Sequence, residues 1–225
     1  QVSILEARAL SAQEMVALEG AVTVRPGMFS DKIMYLQDET AGLQVYGDDI
    51  SWPQLDVGDR VRITGKMSEK DGEKRVLVSA KDDISVVGQD EIVAQNIETV
   101  VVDKGLEGQL VRLSGVFLDK NYANVTFEDQ AGEAIVYLKQ KTEIKTDDIV
   151  FDREVVVSGI VAPSDGTYRV LPRSVADIVY VEEESGNDGE ESLPIGSSEN
   201  LLLPPNNQRQ SAATVISMLL LLLSG

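Results

Sequence analysis

Two tyrosines, two glutamines and two arginines recur at spacings that place them on one surface. In "KIMYLQDETAGLQVYG" and "DRVRITG" apolar and polar residues alternate, and alternate residues of a strand point to opposite sides. Met34, Leu36, Leu43, Val45, Val61 and Ile63 then share an inner face, and Tyr35, Gln37, Gln44, Tyr46, Arg60 and Arg62 an outer one. Phenol rings stack on bases, guanidinium groups meet phosphates and amides exchange hydrogen bonds. The outer set therefore has the chemistry of a platform for single-stranded nucleic acid or another extended ligand. A blander reading stands beside it. Tyrosine packs well on any pleated surface, and Asp56 and Asp59 lie close enough in sequence to pair with Arg60 and Arg62. Trp52 and Phe29 border the same surface in one reading; in the other Trp52, beside Pro53, caps the open end of a barrel.

Composition removes most catalytic chemistry. The 225 residues contain neither cysteine nor histidine, which excludes disulfides, the usual zinc sites and triads built on histidine. Adjacent acids such as Asp48 and Asp49, or Asp147 and Asp148, solvate a turn more naturally than they face each other across a substrate. No catalytic residue, metal ligand or cofactor is assigned. The net charge of -18 opposes a sequence-independent grip on phosphate. Seven acids and one base follow Val181, a surplus of six that leaves -12 on the rest.

The elements that must hold the outer face come in two copies. "VALEGAV" at Val16 matches "VRLSGVF" at Val111, "LQDETAGLQVY" at Leu36 matches "FEDQAGEAIVY" at Phe127, and "VRITGKM" at Val61 matches "VVVSGIV" at Val155. The offset stays between 91 and 95, too constant for chance. Each copy reads as five short strands punctuated by turns. In the first the expected strands are 16–24, 32–38, 43–46, 60–67 and 74–80, with an extension over 83–87. In the second they are 110–118, 124–129, 134–138, 154–161 and 167–172. Gly20, Gly65, Gly115 and Gly159 sit inside strands, where glycine permits the coil that closes a small barrel. "SILEARALS" and "NIETVVVDKGL" are short helix candidates, the second β-branched enough to be extended instead.

These residues carry a resemblance. A glycine-kinked first strand, the hairpin "YLQDETAGLQVY" and "LDVGDRVRITG" are similar to the OB-fold modules of exported bacterial proteins, the type found beside lamin-tail or extracellular nuclease domains. The resemblance implies an all-β chain of two tandem five-stranded Greek-key barrels, and it does not imply catalysis. The expected units are 1–88 and 97–181, joined by 89–96. An acidic linker over 182–210 and an apolar tail over 211–225 follow. "SAATVISMLLLLLSG" is uncharged but shorter than the roughly 20 residues that cross a bilayer. It is expected to be a weak anchor, a span that continues past Gly225 or a buried helix. A protein displayed outside the cytoplasm, associated with the envelope, is the expectation.

The second copy alters the outer face. Tyr35 becomes Thr126, Gln37 becomes Glu128, Gln44 becomes Ile135, and Arg60 and Arg62 become Glu154 and Val156; Tyr46 alone is kept, as Tyr137. Exposed Ile135 and Val156 suggest contact with a protein surface. On this reading the second unit packs or spaces and any ligand belongs to the first. The rival for the whole chain is a structural spacer or protein-contact module.

Overall fold

The alternation in "DRVRITGKM" becomes a strand with Val61, Ile63 and Met67 buried and Arg60, Arg62 and Lys66 exposed, so side-chain parity decides which face closes on the core. The computed structural model describes residues 1–182. The linker and tail expected over 182–225 lie outside the described residues, apart from Glu182.

The first barrel comprises β1 (Met15–Val24), β2 (Ile33–Gln37), β3 (Gly42–Gly47), β4 (Asp59–Lys70) and β5 (Glu73–Val78), with β6 (Ile84–Gln89) added at the edge. A two-residue strand, β7 (Gln95–Asn96), leads into the second. There β8 (Leu110–Asn121), β9 (Asn124–Glu128), β10 (Glu133–Tyr137), β11 (Glu154–Ser164) and β12 (Thr167–Leu171) repeat the plan, and β13 (Ile178–Tyr180) takes the place of β6. The sheet orders are β1-β2-β3-β5-β4-β6 and β13-β11-β12-β10-β9-β8-β7; β1 pairs with β4 and β8 with β11, which closes both rings. Five antiparallel-dominated strands, closed with one parallel pair between the third and fifth, are the OB-fold barrel.

The repeat extends to irregularities. The first strand of each barrel bulges at the same place, between Val22 and Val24 and between Phe117 and Asp119, which bends it around the core. Asp38 accepts the amide of Ile4 and caps its own hairpin through Thr40 and Ala41; Asp129 accepts the amide of Thr99 and caps through Ala131 and Gly132. Gly115 is required because a methyl there would overlap the carbonyl of Glu128.

Met34, Leu36, Leu43, Val45, Val61 and Ile63 fill the first core, as parity predicts, and Phe117, Phe127, Val136 and Val157 the second. Ser3 caps helix α1 (Ile4–Ala9) in a reciprocal box with Glu6, and Ile4 and Ala7 are buried against the first barrel. The second helix candidate is instead two 3-10 turns, Thr99–Val101 and Lys104–Leu106: its β-branched residues resist helix, and Asp129 and Asp103 fix the turns.

A third apolar cluster joins the barrels. Val24, Phe29 and Tyr35 of the first meet Leu110, Ile160, Ala162 and Leu171 of the second, with Ala94 of the connector between them. Gly42 and Gly108 touch backbone to backbone, so that a methyl on either would overlap the other chain segment.

Candidate ligand-binding site

The seam lies over part of the outer face of the first barrel. Tyr35 and Gln44, read in the sequence as outward-facing ligand contacts, do point away from the first core, yet they are 3% and 6% exposed, and residues of the second barrel pack on Tyr35. Their polar groups are engaged internally. The Tyr35 hydroxyl donates to Glu73 at 2.6 Å, and the Gln44 amide donates both to Glu73 and to the Tyr35 oxygen. Gln37, half-buried, accepts the backbone N–H of Leu110 at 2.8 Å across the seam. Two of the six sequence-predicted contacts, Tyr35 and Gln37, therefore touch the second barrel in this structure, and a third, Gln44, is buried on Tyr35 and Glu73.

The other three are elsewhere. Arg60 and Arg62 are exposed and both pair with Glu19 on the neighbouring strand, at 3.3 and 2.6 Å, rather than with Asp56 or Asp59. Tyr46 lies under the Arg75 guanidinium, 4.5 Å from its ring centre. Phe29 is in the seam, edge-on to Tyr35, and the Trp52 indole N–H donates to the carbonyl of Asp31, packing partly on the first core.

Further polar groups stitch the seam. Glu107, 2% exposed, accepts from the amide of Lys74 and pairs with Arg8, whose guanidinium also reaches the Glu107 carbonyl. Lys141 pairs with Asp31 at 2.6 Å, and Arg173 reaches the carbonyl of Thr23. Burial pushes the Glu73 carboxyl up to about 7, and the nearby Glu107 charge adds to this, against the Tyr35 hydrogen bond and the charges of Lys139 and Arg75. The Tyr35 hydroxyl is raised well above its ordinary value by the same burial and by Glu73.

The equivalent face of the second barrel is open. Thr126 and Ile135 stand where Tyr35 and Gln44 stand in the first, on facing rungs of β9 and β10, and Arg169 flanks Ile135 from β12 as Arg75 flanks Gln44. A groove of about 360 Å³ runs over them, bounded by Asn121 and Asn124 at the β8–β9 turn and by Ser164 and Asp165 at the β11–β12 turn. Arg169 stacks 3.8 Å over the centre of the Tyr137 ring, and Tyr122 at the turn is 91% exposed. The Nε atoms of Arg75 and Arg169 are buried without a hydrogen-bond partner. Ile135 thus lines a groove. Val156 is half-buried in a separate cleft beside Ile92, Ala94 and Val179. Neither of these two residues makes the apolar contact between barrels, which the second barrel supplies through Leu110, Ile160, Ala162 and Leu171.

No protein-family model and no curated protein sequence matches the chain. Among solved structures it is similar to the hypothetical protein ygiW from E. coli, at 23% identity over 38% of this chain and 88% of that one, with a TM-score of 0.32. It is similar to the p204 HINb domain at 11% identity, over 76% and 98% of the two chains, TM-score 0.40. Fission yeast Pot1 with ssDNA aligns at 11% identity, over 82% and 89%, TM-score 0.40.

Proposed function

We propose that the chain is a non-catalytic binding module that lays an extended ligand, single-stranded nucleic acid foremost, across the open face of its second barrel. One observation carries the reading: of two equivalent rungs, Tyr35–Gln44 in the first barrel is buried and Thr126–Ile135 in the second lies in a groove shared with Asn121 and Asn124. In an OB-fold the second and third strands and the turns beside them are where oligonucleotides and oligosaccharides bind. Asn121, Asn124 and Thr126 supply hydrogen bonds, Tyr122 a free ring for stacking, and Arg169 a fixed cation.

The test is fluorescence anisotropy of a labelled mixed-sequence single-stranded oligonucleotide at low and physiological salt. Binding should weaken with salt. It should fall by about 1–3 kcal/mol in Tyr122→Ala if a base stacks there, and be unchanged in Arg62→Ala. Absence of binding at low salt would favour the second reading, a spacer or protein-contact module. The net charge of -18 and the carboxylates of Asp119 and Asp165 on the groove support that reading.

A further inference from the structure

A second cavity lies in the seam. It measures about 350 Å³, between the β1–β2 loop carrying Phe29, Asp31 and Lys32 and the end of β10 with the chain after it, carrying Tyr137, Lys139 and Lys141. Two of its three lysines are neutralised, Lys32 by Asp48 and Asp49 and Lys141 by Asp31. Lys139 has no ion-pair partner among the described residues; its amine is 5.7 Å from the centre of the Phe29 ring. Arg169 and Arg75, each stacked on a tyrosine, also have none.

We propose that this seam cavity is a site for a phosphate-type oxyanion, held by Lys139, with Arg169 next to it on the far side of the Tyr137 ring that lines the cavity. The charges facing it support this. Lys139 feels Arg169 as a like charge and Glu73 as an opposite one, and Glu73 also feels Arg75 and Glu107. Glu107 is already paired with Arg8. Even an ionised Glu73 leaves Lys139 and Arg169 with one positive charge in excess. Burial, and then the Arg169 charge, hold the Lys139 amine below its ordinary pKa, so the cation is kept where it is disfavoured until an anion joins it. Stacking on Tyr137 fixes the Arg169 guanidinium plane beside the cavity.

The site goes beyond the open-face reading and does not depend on it. Trp52, the sole tryptophan, bonds to the Asp31 carbonyl on the cavity wall and is a built-in reporter. Inorganic pyrophosphate titrated into the full chain should change Trp52 fluorescence saturably. Affinity should fall by about tenfold or more in Lys139→Met. That variant keeps the apolar stem and should be as stable as the parent or more so. Asn124→Ala, in the open groove, should leave pyrophosphate affinity unaltered. A saturable response unaffected by Lys139→Met, or none at millimolar pyrophosphate, would overturn the proposal.

Discussion

The rung Tyr35–Gln44 in the first barrel and the rung Thr126–Ile135 in the second occupy the same place in the same hairpin, each flanked by an arginine of the fifth strand. One is sealed around a carboxyl and the other opens on a groove. The face with richer recognition chemistry, two amides and a phenol, is the one that serves packing. Residue type is therefore a poor guide to use when a neighbour can cover the surface. The rung below gives the reason: Gly42 lets the backbone of Gly108 come into contact, whereas the second barrel has the exposed Glu133 at that position.

The largest test of this contrast is a wedge. Gly42→Val must push the Gly108 backbone away and should cost ~3 kcal/mol in urea unfolding, while Glu133→Val should change stability by no more than ~0.5 kcal/mol. Equal effects would remove the distinction between faces. Next is pH. The folded chain holds the Glu73 proton up to about 7, whereas the unfolded chain releases it near the ordinary carboxylate value. Stability is then highest below that value, falls as pH rises through about 7, and levels off above, by up to ~3 kcal/mol. Glu73→Gln should flatten that slope, and the second barrel, with Thr167 at the matching position, contributes none. Smaller again is Tyr35→Phe, which deprives Glu73 of a donor and should cost ~1–3 kcal/mol by thermal unfolding. Thr126→Val should leave stability within ~0.5 kcal/mol and weaken oligonucleotide binding instead. Smallest is Arg62→Ala, an exposed partner of Glu19, which should leave the urea midpoint where it was.

Much of the architecture was readable from the chain. The constant offset, the glycines within strands and the alternation in "DRVRITGKM" correspond to two closed rings and to their core residues. Parity separated Tyr35 and Gln44 from the first core correctly. It could not say what lies over them, because period two distinguishes two sides of a strand and not solvent from a neighbouring barrel. A sign was present: "AVTV" after Gly20 and "IVA" after Gly159 break alternation, and all seven residues are buried. Such a run belongs to a strand covered on both sides. The Arg169 stack on Tyr137 had weaker sequence support, since "RVL" recurs in both copies without indicating which ring the guanidinium meets.

The connector is anchored along its length: the amide of Asp90 bonds to Gly58 in the first barrel, Ile92 and Ala94 enter the seam, and β7 pairs with β8 before Ile97 bonds to Arg112. Mechanically this ties the two barrels through the connector as well as through the seam. A torque applied to one barrel would reach the other through these hydrogen bonds and the seam. A ligand gripping the second barrel would drag the first along with it.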